Sequence, residues 1–312
     1  MIPNDGVVAG FPRIARWRRI ALWIVLAAAI ALHALLALRL AGAMGSDFVI
    51  FHEAAIRALS DPLALYHPSD ARFTLQGYLY PPPSVLLFLP LALGSAGASF
   101  LWAKAAIIGC AVLAGALWLA LLREDWNLPR NRLEELAVLG LALAIGPLLT
   151  VRQGQVDTVI LLLCVAPLWL ERRGWPRLAG GLIAVGCWIK IYPVLLLFWL
   201  LRRPARRALL GGFFAGAVLM PLASLAIVPP ELYLDYFTRQ LPEMSQRAII
   251  NIYNQSLAAI YLRATHPLDL ATGTYDALIL PAWLRAAIMA GALGTMAAIS
   301  RQAGKAGMPD SF

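Results

Sequence analysis

The chain has 312 residues, of which 61% are hydrophobic and only 14% charged, with a formal net charge of +9. A soluble globular chain is roughly half apolar and about a quarter charged, so one water-facing core cannot absorb this excess and lipid must solvate much of the chain. The positive balance is not that of a nucleic-acid binder. Its Lys and Arg residues sit at the ends of apolar runs, as in Arg16-Trp17-Arg18-Arg19 and Arg202-Arg203-Pro204-Ala205-Arg206-Arg207, where they act as cytoplasmic anchors.

In chain order, the first apolar run covers residues 20–43, too long for a signal-peptide core, and reads as an uncleaved span that includes His33. Further runs follow at 82–93, 99–122, 133–149, 156–170, 178–201, 208–228 and 281–299, giving about eight spans in an all-α, polytopic helical bundle, one membrane domain over residues 1–312. Several runs fall short of the roughly 20 residues a crossing needs, notably 82–93 and 156–170. Cys110, Cys164 and Cys187 all lie within apolar runs, with neither disulfide nor zinc spacing.

A cytoplasmic N-terminus puts two large loops, 44–81 and 229–280, outside, and the tail 300–312 inside. One loop disagrees: Glu171-Arg172-Arg173-Gly174-Trp175-Pro176-Arg177 is basic yet counts as outside. Either the charge rule is broken once, or one run between 133 and 201 does not fully cross.

The first outer loop opens on a helical pattern from Asp47 to Leu59, with Phe48, Phe51, Ala55 and Leu59 on one side and the pair Glu53–Arg57 on the other. It suits an interfacial helix with its apolar face on lipid, and residues 231–240 resemble it. Asp47 admits two roles, a helix N-cap and a general base at the outer surface. Tyr78-Leu79-Tyr80-Pro81-Pro82-Pro83 makes a rigid start to the second run, with Tyr80 able to line a site.

Inside the membrane, Arg152-Gln153-Gly154-Gln155-Val156-Asp157 and Lys190-Ile191-Tyr192-Pro193 interrupt apolar runs. Ionisable groups at that depth are costly and mark function by default. Lys190 calls for an anion, either Asp157 or a lipid phosphate. In the second outer loop, Asn251, Gln255 and Ser256, followed by Arg263 and His266, suit sugar hydroxyls or ordinary turns and caps.

Taken in order, Ser46-Asp47-Phe48, Tyr80-Pro81-Pro82, Gly154-Gln155-Val156-Asp157, Lys190-Ile191-Tyr192-Pro193 and Asn254-Gln255-Ser256-Leu257 resemble glycosyltransferase family 87, over residues 15 to 265 or so. Asp157 stands where that pattern has an amide, and the chain offers one run after the second outer loop where family members have several. The resemblance implies a C-type glycosyltransferase fold in the cell (inner) membrane, with an active site on the outer face. It implies transfer of a hexose, by family mannose, from a polyprenyl-phosphate donor to a glycolipid or polysaccharide acceptor. Asp47 is then the general base of an inverting displacement, and Tyr80, Arg152, Gln155, Asp157, Lys190, Tyr192, Asn251, Gln255, Ser256 and Arg263 bind substrate. No cofactor is called for; Asp47, Glu53, Asp61 and Asp70 are too scattered for an obvious metal site, and assistance by a divalent ion stays open. The competing functions are a transporter or lipid flippase built on Lys190 and Asp157, and an inactive relative with a structural role.

Overall fold

The computed structural model describes residue 17 and residues 20–29, 31–32, 35, 45–66, 77–127, 129–143, 150–250, 256–265 and 276–305. These residues are overwhelmingly helical, as expected. One two-stranded antiparallel ribbon is added, pairing Arg247–Ile250 with Asp276–Ile279 in the register Arg247 to Ile279. The chain divides into two compact units, Met1–Val49 with Gly94–Val165, and Ile50–Leu93 with Ala166–Phe312.

The first unit is built on the helix Ala96–Trp126, capped by Ser95, whose hydroxyl accepts from the Ala98 amide, and closed by Asn127 in the left-handed conformation (φ 45°). With Arg206–Ser224 it is one of two described helices long and apolar enough to cross a membrane. Its buried residues Phe100, Ile107, Ala114 and Leu121 recur every seventh position and form one narrow seam, while Leu101, Trp102, Ile108, Val112 and Trp118 are exposed. A seam this narrow is the packing edge of a helix whose other faces are largely exposed among the described residues. Against the seam lies the start of Asp157–Arg172, where Thr158 donates to the Ile107 carbonyl at 2.8 Å.

In the second unit, Pro176–Ile189 packs along Arg206–Ser224 through glycines. A side chain at Gly180 would strike the Leu209 carbonyl and one at Gly212 the Arg177 carbonyl, while at Gly216 a Cβ would sit 3.0 Å from that of Ala184. Gly212 and Gly216, four apart and facing Arg177 and Ala184, let two backbones touch where bulk would hold them apart. Trp188 completes the contact, donating to the Ala217 carbonyl at 3.2 Å.

The contacts of Arg177 with Gly212, Ala184 with Gly216 and Trp188 with Ala217 advance along both helices, so the helices run in the same direction. Parallel neighbours need a connection that travels back, and Leu195–Leu200 supplies it, packing Leu200 on Ile183 and Leu209. Residues 178–201 are therefore a hairpin rather than one continuous helix. Pro193 cannot continue the helix, so Lys190 leaves it extended (φ −140°, ψ 133°) and the chain reverses. At the other end, Glu171 meets Arg203 at 3.9 Å, placing the two basic segments 171–177 and 202–207 side by side.

Residues 82–93 also depart from a regular span. They form two 3₁₀ segments, Pro82–Leu87 and Leu89–Leu93, because Pro81, Pro82, Pro83 and Pro90 remove amide donors. The helix expected in the first loop runs Ser46–Ser60, with Glu53 and Arg57 paired at 3.7 Å. Its apolar face is turned to protein: Phe48, Phe51, Ala54, Ala55 and Ala58 are buried, and only Ile56 and Leu59 are exposed. The expectation that this face lies on lipid is corrected accordingly, since ring partners across the chain satisfy Phe48 and Phe51.

Candidate active site

Within the first unit, two motifs a hundred residues apart in sequence meet at the beginning of Ser46–Ser60. The Gly45 carbonyl accepts the first helical bond, from Val49 at 3.2 Å, so Gly45 holds the cap position. Asp47 therefore stands inside the first turn, half-buried, where the free amides of the helix start favour its negative charge. The N-cap role weighed for Asp47 belongs to Gly45 instead.

Beneath this turn lies the segment 150–155, closed by the Gln155 amide donating to the Thr150 carbonyl at 3.0 Å. Gly45 is pressed onto the carbonyls of Arg152 and Gln153, and Gly154, at φ +72°, onto Phe48, whose Cβ would lie 2.5 Å from an added Cβ. Only glycine serves at Gly154, for both backbone conformation and space. Gln155 is half-buried, Arg152 is exposed, and Asp157 opens the helix Asp157–Arg172 as an acidic first-turn residue.

Lys104, passed over in the sequence, belongs to this neighbourhood. Its Nζ lies 4.1 Å from the centre of the Phe100 ring, and that ring packs 4.8 Å from Phe48, the residue next to Asp47. The available signal was a single lysine near the start of the run 99–122, a weaker form of the signal that singled out Lys190.

Within the second unit the segments 51–88 and 229–240 meet through aromatic rings. Tyr80 packs against Phe51, Tyr78 and Phe88, and Phe51 stacks on Phe88 at 4.3 Å with ring planes 3° apart. Tyr66 of the first loop packs 5.7 Å from Tyr236 of the second. The hydroxyls tie backbone to backbone: Tyr66 donates to the Tyr80 carbonyl at 2.9 Å, Tyr236 reaches the Leu79 carbonyl at 3.5 Å, and Tyr78 pairs with Ser84. Burial pushes the Tyr66 and Tyr78 phenols well above their usual range and Tyr236 up to about 12, so all three stay neutral at physiological pH.

The segment 229–240 joins this cluster through a short helix Pro230–Asp235 and a π-helical turn Tyr236–Gln240. Arg239 holds both Asp235 oxygens, at 2.7 and 3.0 Å, and keeps that carboxyl below the usual carboxylate range. Tyr233 donates to the Pro221 carbonyl at 3.2 Å, fastening this loop to the end of Arg206–Ser224.

Lys190 lies at the bend of the 178–201 hairpin, half-buried, with Tyr192 exposed beside it in the turn Tyr192–Val194. Ser256 caps the helix Leu257–Thr265, accepting from the Ala259 amide at 3.2 Å, and Arg263 stands in that helix's last turn. Asn251, Gln255, His33 and His266 lie outside the described residues. Thus Asp47, Arg152, Gln155 and Asp157 belong to the first unit, and Tyr80, Lys190, Tyr192, Ser256 and Arg263 to the second. Among the described residues, no three His, Cys, Asp or Glu side chains gather in one place.

Comparison with known proteins gives a family and nothing finer. Neither a curated protein nor a solved structure matches the chain. The model of glycosyltransferase family 87 matches residues 78–308, which takes in Tyr80, Gly154–Asp157, Lys190, Ser256 and Arg263 but begins beyond Asp47. It also takes in residues 266–281, between the second outer loop's motif and the last apolar run. A match over well more than half of its length makes this chain a member of glycosyltransferase family 87, and two membrane-length apolar helices mark it as a membrane protein.

Proposed function

We propose that the chain is a polytopic cell-membrane glycosyltransferase that moves a hexose, mannose by family likeness, from a polyprenyl phosphate to a glycolipid or polysaccharide on the outer face. The observation that carries this is the junction around Asp47. A carboxylate at a helix start is held by backbone contact against the family motif Gly154–Asp157. Because the family match begins at residue 78, the role of Asp47 rests on that contact and on the chemistry.

In the proposed step the acceptor hydroxyl oxygen attacks the anomeric carbon while its proton passes to the Asp47 carboxylate. The bond from the anomeric carbon to the phosphate oxygen breaks, and the electron pair leaves on the polyprenyl phosphate. One displacement inverts the anomeric centre, and the proton on Asp47 is returned to water. Positive charge lowers the barrier where charge grows on the leaving phosphate, and Lys104, Arg152, Lys190 and Arg263 are the cations available for it. Tyr80 and Tyr192 offer ring faces and hydroxyls to the sugar, as do the amides and hydroxyl of Asn251, Gln255 and Ser256. Gln155 and Asp157 orient the acceptor or donor beside Asp47.

The test is transfer of label from radiolabelled polyprenyl-phosphate mannose to a lipid extract by purified protein in detergent or vesicles. Wild type is expected to transfer label, and Asp47→Asn and Asp47→Ala to lose at least about 100-fold in rate while eluting as intact, monodisperse protein. Folded wild type that transfers no label ends the reading for this donor. Equal rates in both variants remove Asp47 from the base role.

A further inference from the structure

The 178–201 hairpin has a membrane consequence. Pro176–Ile189 and Arg206–Ser224 run parallel from adjacent starts, and the Glu171–Arg203 pair holds those starts together. The segments 171–177 and 202–207 must then lie on one side of the membrane, whatever that side is. At the far end of Arg206–Ser224, Tyr233 bonds the Pro221 carbonyl and leads into the aromatic cluster of the two large loops. The unit is thus basic at one end and aromatic at the other.

Residues 82–93 do not cross either. The Phe88 ring centre lies 6.2 Å from that of Tyr78 and 6.1 Å from that of Tyr80, so the chain stays close enough to its start for these rings to touch. The five residues of Leu89–Leu93 that remain advance about 10 Å in 3₁₀ geometry, a third of the hydrocarbon thickness.

We propose that residues 176–200 form a re-entrant hairpin that enters and leaves on the cytoplasmic face, and that its tip, Lys190 to Tyr192, binds a lipid phosphate in the outer leaflet. With 82–93 kept outside, six crossings remain: 20–43, 96–126, 130–149, 157–172, 206–224 and 282–299. Every arginine-rich segment then falls on the cytoplasmic face, including 171–177, which an eight-span count sends to the wrong side. The fourteen residues of Pro176–Ile189 rise about 21 Å, past the middle of a hydrocarbon layer about 30 Å thick.

Lys190 is therefore carried toward the outer headgroups from the cytoplasmic side. Pro82–Leu87 packs on both Pro176–Ile189 and Arg206–Ser224, bringing the outer aromatic loop to the same two helices. The tip is open: Ile191 is 75% exposed and Tyr192 46%. A tip that carries a lysine beside the exposed Ile191 and Tyr192, on a helix that also meets Pro82–Leu87, fits a phosphate carried on a hydrocarbon chain. This phosphate site rests on the glycosyl-transfer reading, whereas the hairpin topology does not.

Two measurements separate the parts. Single cysteines at Arg173, Ala205, Leu63 and Leu234 in a Cys110/Cys164/Cys187→Ala background are treated with membrane-impermeant maleimide in right-side-out and inverted vesicles. Arg173→Cys and Ala205→Cys are expected to label from the cytoplasmic face, and Leu63→Cys and Leu234→Cys from the other. Labelling of the first two from opposite faces overturns the hairpin. If the cysteine-free protein aggregates, an epitope inserted after Gly174 and antibody access in the same vesicles give the same discrimination.

For the tip, binding is read by thermal shift with polyprenyl phosphate, with phosphatidylglycerol and with inorganic phosphate. Lys190→Gln is expected to weaken polyprenyl-phosphate binding at least about tenfold, with Lys190→Arg restoring most of it. A bulk-lipid or free-phosphate site instead gives equal Lys190-dependent shifts with phosphatidylglycerol or inorganic phosphate. Unchanged binding in Lys190→Gln refutes the phosphate site alone. Lys190-dependent polyprenyl-phosphate binding without any sugar transfer leaves the site standing and ends the glycosyl-transfer reading for this donor.

Discussion

At Gly154 a single hydrogen atom decides whether two distant motifs meet. The φ of +72° and the contact with Phe48 both exclude a Cβ, so Gly154→Ala is expected to cost about 2 kcal/mol or more. The measurable outcome is a lower unfolding temperature in detergent, together with lost activity if the contact aligns Asp47. Lys104 offers a second test: Lys104→Gln should raise the apparent KM for the polyprenyl donor with little change in stability, since its contact to the Phe100 ring is worth about 1 kcal/mol. The buried phenols give a third. Tyr236 ionises near 10 in the unfolded chain but only at about 12 when folded, so its neutral form contributes stability that is complete below pH 10 and lost as pH rises toward 12. Melting temperature should fall through that window, and the fall should be shallower in Tyr236→Phe. Lys190 drew notice in the sequence because an ionisable group among apolar residues stands out, and Asp47 through its place directly after the first run; their roles are proposals. Tyr66 and Tyr236 did not, because a tyrosine near a membrane surface has an ordinary interfacial explanation. Only the fold shows that they touch.

Helices in this chain differ in what their glycines do, and that difference separates packed faces from lipid faces. Gly180 and Gly212 sit where backbones touch, whereas Gly109 and Gly115, on Ala96–Trp126, face open space. Gly212→Ala should therefore lower the unfolding temperature by several degrees, while Gly109→Ala and Gly115→Ala should leave it unchanged or raise it slightly. A melt in which all three behave alike would contradict the packing described. Helix existence was readable from the apolar runs, and Ser46–Ser60 matched its pattern to within a residue or so. Direction was not readable. A run of apolar residues such as 178–201 looks the same whether it crosses or doubles back, and the only hint, Lys190 with Pro193, also fits a kinked span. The apolar face of Ser46–Ser60 misled for a related reason, because amphipathicity reports that a face is covered without saying whether lipid or protein covers it.

For the molecule as a whole, the narrow seam on Ala96–Trp126 fixes how it meets the bilayer. Its 31 residues extend about 46 Å, whereas the 19 residues of Arg206–Ser224 extend about 28 Å, close to the thickness of a typical hydrocarbon layer. The shorter helix leaves little slack, and the longer one must tilt or carry its surplus into the headgroups. Among the described residues, the buried apolar positions Phe100, Ile107, Ala114 and Leu121 lie along one edge, so packing restrains that tilt chiefly there. Thickness mismatch should then act on the end of the helix that bears Phe100 and Lys104, beside Phe48 and Asp47. Transfer measured in vesicles of graded acyl-chain length should peak where the layer matches the shorter helix and decline in both thinner and thicker bilayers; a flat profile would show that the long helix is rigidly held. The seam's seven-residue spacing thus makes the surroundings of Asp47, the proposed base, responsive to lipid composition, a property of the membrane rather than of any substrate.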